Sequence, residues 1–201
     1  MVVELLIHFM IFKDYRSVDM RIKRLFVSIV ILFLSGGWVV YSHFHFPVVQ
    51  MENLEAPQKG FQSPTFSLYG LDGTAHSLSE YRGRPVIVNF WASWCTPCVK
   101  EMPTLQNVYA DYSSEGLVML GVNMTWQDTK TEIGKFIEKR GITFPVLLDS
   151  QGTVSQLYRV QALPTTFFIG VDGRITDVIV GGPIPDAAIR AKVTHLIERT
   201  P

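Results

Sequence analysis

Pro85-Val-Ile-Val-Asn-Phe-Trp-Ala-Ser-Trp-Cys-Thr-Pro-Cys98 decides how this chain is read. Its first half, residues 85–91, is apolar except for Asn89, the pattern of a central strand buried on both faces. Its second half holds the 2 cysteines of the 201-residue chain, Cys95 and Cys98. Any thiol chemistry therefore runs within this pair or between it and a partner. A Cys-x-x-Cys that follows an apolar run reads as a redox motif. A strand that turns into a helix at Cys95 places that sulfur at the helix N-terminus. There the free backbone N–H groups and the positive end of the macrodipole favour an anion. The thiolate is the nucleophile, so this placement activates Cys95. Cys98 lies one turn further in, shielded, and near enough to close a disulfide. Cys95 is expected to attack a substrate disulfide and Cys98 to resolve the mixed disulfide. Pro97 falls in the first helical turn, which tolerates its missing N–H. Thr96 and Pro97 together help set the redox poise, and Pro103 is expected to kink the helix.

Two structural readings compete. Half a zinc site would need a second pair of ligands, and no further cysteine exists. His43 and His45 lack a third ligand nearby and read as interfacial residues, so no metal is expected. A purely structural cross-link over so short a loop would gain little chain-entropy stabilisation. No cofactor is called for by any motif.

Outward from the pair, strands and helices alternate. Residues 65–69 and 76–78 read as a hairpin around Asp72-Gly73. A helix is expected from the cysteines to about Tyr112. Strands follow at 117–122 and 144–148, with a helix at 129–140 ended by Gly141 between them. A short helix at 154–158, a hairpin of 165–170 with 174–180 about Asp172-Gly173, and a helix at 185–198 close the chain. This order implies a mixed sheet with helices on both faces.

Composition bounds the partners. Lys+Arg and Asp+Glu are both 18, and no basic stripe runs along the chain. Nucleic acid is thereby excluded, because phosphate binding needs clustered cations. Between Leu25 and Met51 there is no charged residue, while Arg21, Lys23 and Arg24 stand just before. Residues 25–46 are expected to form a transmembrane anchor or uncleaved signal, since they reach the roughly 20 residues a spanning helix needs. The basic flank then puts residues 1–24 in the cytoplasm and the rest outside. No small-x-small cleavage site follows the apolar run. Met20, before a basic cluster and a hydrophobic run, reads as the natural start, with 1–19 not translated. Residues 47–59 form a polar, Pro-containing linker, and 60–201 a single domain.

Three stretches carry a family resemblance: Val88–Cys98 with Lys100-Glu-Met-Pro103, Gly60-Phe-Gln-Ser-Pro-Thr-Phe-Ser-Leu68, and Leu163-Pro-Thr-Thr-Phe-Phe-Ile169. Together they resemble the TlpA/ResA-type membrane-anchored thiol–disulfide oxidoreductases of the thioredoxin superfamily, in its redoxin or AhpC/TSA-like branch. The resemblance spans about 60–200. It implies a thioredoxin-like α/β fold: a central mixed β-sheet flanked by helices, an N-terminal β-hairpin, and a central βα insertion at about 123–148. It implies that Pro164 is a cis-proline facing the cysteines, and that the backbone of Leu163 pairs with a substrate strand. Plain thioredoxins carry a buried acid on the strand before the cysteines, where this chain has Asn89. The similar family instead places a glutamate three residues after the second cysteine. That position is Glu101, expected to exchange protons with the thiols. Trp94 is expected beside Cys95 on the substrate surface, and Trp91 in the core.

The same resemblance implies a transmembrane thiol reductase as electron donor. Extracytoplasmic protein disulfides are the implied acceptors, such as apocytochrome c haem-site cysteines in cytochrome c maturation, or proteins of spore-envelope assembly. Three other functions compete. A disulfide-donating oxidase would use the same chemistry in the opposite direction. A peroxiredoxin-like peroxidase needs Thr or Ser at the position of Ala92 and Pro at that of Val88. A binding or assembly module would carry its cysteines incidentally.

Overall fold

The structure, a computed structural model, describes residues 20–25, 27–38, 41 and 54–198. The chain divides into two compact units, Met1–Val49 and Gln50–Pro201. In the first, residues 20–25 and 27–38 are helical and exposed. The hydroxyls of Ser28 and Ser35 fold back onto the carbonyls of Arg24 and Leu32, which satisfies these polar groups within an apolar helix. Among the described residues, no helix is long and apolar enough to cross a membrane. Residues 26, 39–40 and 42–46 of the expected anchor lie outside the described residues. So do residues 1–19, His43, His45, and the 47–53 part of the linker.

The second unit opens with a two-stranded hairpin, β1 (Ser67–Tyr69) against β2 (Ala75–Ser77). Its turn is held by Asp72, whose Oδ1 accepts the Thr74 N–H at 3.0 Å, with Gly73 at φ 81° in the region glycine favours. The main sheet comprises β3 (Val86–Trp91), β4 (Val118–Asn123), β5 (Val146–Leu148), β6 (Thr165–Ile169) and β7 (Ile175–Val180), in the order β5-β4-β3-β6-β7. β3, β4 and β5 are parallel, β6 runs antiparallel to β3, and β7 runs antiparallel to β6. Four α-helices accompany it: α1 (Thr96–Tyr112), α2 (Lys130–Arg140), α3 (Thr153–Leu157) and α4 (Asp186–Glu198). The expected mixed sheet is therefore present. The expected insertion is occupied by a 3₁₀ turn (Thr125–Gln127), α2 and the edge strand β5.

β3 is the central strand of this sheet, and all six of its residues are buried. Its side chains alternate between faces, as a strand requires. Val86, Val88 and Phe90 join one core with Leu120, Val122, Tyr158 and Phe167. Ile87 and Trp91 join the other, beneath Met102, Leu105 and Val108 of α1 and Ile189, Val193 and Leu196 of α4. Burying such a Val, Ile or Phe side chain stabilises the fold by roughly 1.5–3 kcal/mol each. On the second face β4 carries Gly121, where a Cβ would stand 2.9 Å from the Phe144 ring and 3.3 Å from the Trp91 indole nitrogen. The missing side chain lets these two rings close over the strand. α1 runs through Pro103 as one assigned helix. α2 ends where Gly141 takes the left-handed conformation at φ 62°, as its sequence position predicts.

Candidate active site

The site forms where β3 hands over to α1. A tight turn, closed by the Cys95 N–H donating to the Ala92 carbonyl at 3.2 Å, separates the two elements. Cys95 is the N-cap of α1, with extended backbone, and its Sγ accepts the Cys98 N–H at 3.3 Å. The sulfur thus occupies the place usually taken by a capping oxygen, against the free N–H groups of the first turn. Cys95 and Cys98 are joined as a disulfide across a Cα–Cα separation of 5.2 Å. Pro97 sits in the first turn of α1, where no hydrogen bond is lost.

In this oxidised form both cysteines are buried, Cys95 at 4% and Cys98 at 1% exposure. The difference between them is one of access. Cys95 lines an open cleft of about 490 Å³, and Cys98 does not. Trp94, Thr96, Pro97 and Leu163 share that cleft, so four sequence-selected residues line it with Cys95. Trp94 is half exposed and fixed by its indole N–H, which donates to the Gln127 carbonyl at 2.8 Å. Trp91 is fully buried beneath the sheet, a core residue. Its indole nitrogen has no hydrogen-bond partner among the described residues.

Pro164 follows a cis peptide bond, Leu163–Pro164, and its carbonyl accepts the Gly181 N–H at 2.7 Å. A second cis bond, Gly182–Pro183, follows in the loop after β7. No motif in the sequence marks it. This loop packs onto Glu101: a Cβ added at Gly182 would collide with Glu101 Oε2 and lie 2.7 Å from Pro164 Cγ. Glu101, Pro164 and the loop after β7 therefore form one contact cluster.

Glu101 is 1% exposed, which excludes a solvated helix glutamate. Its Oε1 accepts from the Asn89 amide at 3.1 Å and its Oε2 from the Ile184 N–H at 2.8 Å. Asn89 also donates to Thr166 Oγ1 at 2.9 Å, tying β3 to β6. Burial pushes the Glu101 carboxyl above its ordinary range, and the hydrogen bonds from Ile184 and Asn89 only partly oppose it. Such a group holds or releases a proton nearer neutrality than a free carboxylate.

Two contributors were not legible as motifs. Trp126 is half exposed and lines the Cys95 cleft. It lies against Gly152, whose absent Cβ would meet the indole nitrogen at 3.0 Å. Asp128 accepts four hydrogen bonds at the end of the 3₁₀ turn, two of them from Ser93. Among the described residues no cluster of three or more His, Cys, Asp or Glu is arranged to hold a metal ion.

Comparison with known proteins agrees with this geometry. Residues 60–178 match the AhpC/TSA family. The thiol-disulfide oxidoreductase ResA of Geobacillus thermodenitrificans is 37% identical over 155 residues, 77% of this chain and 84% of that relative. The Bacillus subtilis ResA is 32% identical over 162 residues, 79% of this chain and 86% of the relative. Among solved structures, a putative thiol:disulfide interchange protein DsbE from Chlorobium tepidum superposes with a TM-score of 0.65 at 30% identity. That match covers 70% of this chain and 98% of that one. A thioredoxin-like sheet with a Cys-x-x-Cys pair capping α1 defines a thiol–disulfide oxidoreductase. This chain belongs to the AhpC/TSA family and, within the thioredoxin superfamily, is of the ResA/TlpA type.

Proposed function

We propose that this chain is a membrane-tethered, extracytoplasmic reductase of protein disulfides, with Cys95 as the attacking thiol and Cys98 as the resolving one. The observation that carries the assignment of roles is the cleft, which reaches Cys95 and not Cys98. A substrate sulfur approaching through it meets only the N-cap sulfur, the one that the helix terminus favours as thiolate.

The exchange balances as follows. The Cys95 thiolate attacks one sulfur of the substrate disulfide, the substrate S–S bond breaks, and its leaving sulfur takes up a proton. Cys98 then loses its proton and attacks Cys95 Sγ in the mixed disulfide. The second substrate sulfur departs as a thiol, and the Cys95–Cys98 bond remains. Two electrons pass from the dithiol to the substrate. Glu101 is read as the group that takes up the proton Cys98 gives up; its position one turn beyond Cys98 on α1 and its raised pKa support that reading. Trp94, Thr96, Pro97 and Leu163 border the approach.

The charge-free stretch after Arg21, Lys23 and Arg24 supports tethering with the second unit outside. An oxidising exterior offers no soluble reductant pool, so the chain would draw electrons from a transmembrane thiol reductase. Its acceptors would be specific extracytoplasmic disulfides, with apocytochrome c haem-site cysteines the candidate that the TlpA/ResA resemblance implies. Direction is tested by the reduction potential of the Cys95–Cys98 couple. A reductase is expected nearer the thioredoxin value of about −270 mV, and a value near about −120 mV would assign an oxidase instead.

A further inference from the structure

We infer that Asp128 is a positioning residue for Cys95, bolting the Ala92–Cys95 turn to the segment after β4. The inference rests on the reading of Cys95 as the attacking thiol. The two inner residues of that turn are Ser93 and Trp94, and both are tied to positions 127 and 128. Asp128 Oδ2 accepts the Ser93 N–H at 2.7 Å, and Oδ1 accepts the Ser93 hydroxyl at 2.7 Å. The Gln127 carbonyl takes the Trp94 indole N–H at 2.8 Å. The bolt is seated on the sheet. Asn123, the fully buried last residue of β4, donates its amide to Asp128 Oδ2 at 3.0 Å, and the Met124 N–H donates to the Trp91 carbonyl at 3.0 Å. The Thr129 N–H completes the set, donating to Oδ1 at 2.9 Å.

This arrangement requires a carboxylate. Each oxygen takes one backbone N–H, from Ser93 on one side and Thr129 on the other. An amide has a single acceptor oxygen, so its NH₂ would face a backbone N–H that cannot accept. Burial alone would oppose ionisation of Asp128, but the donors from Ser93, Asn123 and Thr129 outweigh it and hold the group below the ordinary carboxylate range. The bolt therefore stays charged across the pH range in which thiols exchange. Its consequence falls on Cys95, whose sulfur gains its thiolate character from sitting squarely on the first turn of α1. A small misplacement of a reacting group costs rate steeply.

The test separates position from charge. In the Cys98→Ala background of the full chain, the rate of Cys95 alkylation by iodoacetamide is followed against pH for Asp128→Asn and for Ser93→Ala. The same substitutions in the chain with both cysteines, reduced beforehand, are assayed in a single turnover for kcat/KM, the second-order rate constant for reducing glutathione disulfide. Loosening the turn is expected to raise the Cys95 thiol pKa by about one unit and to lower kcat/KM about tenfold in Asp128→Asn. Ser93→Ala, which keeps the carboxylate, is expected to move both in the same direction by less. A negative charge acting only through space would have the opposite signature, because removing it stabilises a thiolate. A lower Cys95 pKa in Asp128→Asn with Ser93→Ala unmoved therefore overturns the proposal. So do parental pKa and kcat/KM in both variants, even with lowered melting temperatures, since Asp128 is then a loop staple alone. If Asp128→Asn does not fold, Ser93→Ala decides by the same two readouts. A parent chain that fails to reduce glutathione disulfide speaks against the redox reading, while the alkylation profile still tests the bolt.

Discussion

Glu101 and Asn89 work as a pair. Asn89 stands on β3 where plain thioredoxins, which this chain resembles, carry an acid, and it presents its amide to the one carboxylate that α1 buries. Because burial raises the Glu101 pKa, the folded chain holds that proton more tightly than the unfolded chain. The linked contribution to stability is then fully present below the unfolded carboxyl pKa, and is lost as pH rises through the higher folded value. Glu101→Gln removes this dependence. Denaturant midpoints from about pH 4 to about pH 8 are expected to fall less steeply for the variant than for the parent. The exchange rate runs the opposite way: it rises with pH as Glu101 loses its proton and becomes able to accept one, and Glu101→Gln loses that limb and is slower above it. Identical pH–rate profiles would remove Glu101 from the proton path.

The elements show which parts of this arrangement a sequence can reveal. β3 and β4 were legible because both faces of a central strand are apolar, and α1 because a Cys-x-x-Cys with Pro97 announces a helix start. The cis geometry at Pro164 followed from the Leu163-Pro-Thr-Thr motif of the resembling family. The loop after β7 was not legible. Gly182 and Ile184 matter only through what the folded chain brings against them, namely Glu101 from 83 residues away in the case of Ile184. Asp128 and Trp126 were hidden for the same reason. An aspartate before a helix reads as an ordinary cap, and a tryptophan in a polar turn has no periodicity to place it. Gly182→Ala tests the element-scale reading. Its Cβ must displace Glu101 or Pro164, so a loss of about 1–3 kcal/mol is expected from overpacking. The denaturant midpoint should fall with its slope unchanged, together with a reduced exchange rate. A variant as stable and active as the parent would show that the loop yields freely.

At the scale of the whole molecule, the chemistry belongs to the second unit and the proposed tether to the first. All residues of the disulfide, the cleft and the Glu101 cluster lie within 54–198. A chain beginning at residue 54 is therefore expected to fold and to exchange disulfides at the parental rate in solution. It is expected to fractionate as a soluble protein, while the full chain partitions with membranes. Full-length chain in the soluble fraction would remove the tether from the account. The central claim is that Cys95 is the sulfur that meets the substrate. It is tested most directly by locating the mixed disulfide formed when the Cys98→Ala chain is mixed with a disulfide-bonded protein and analysed by peptide mass spectrometry. The account predicts a stable adduct on Cys95, with Cys95→Ala leaving Cys98 nearly unreactive behind the wall of the cleft. An adduct that forms as readily on Cys98 when Cys95 is removed would contradict it.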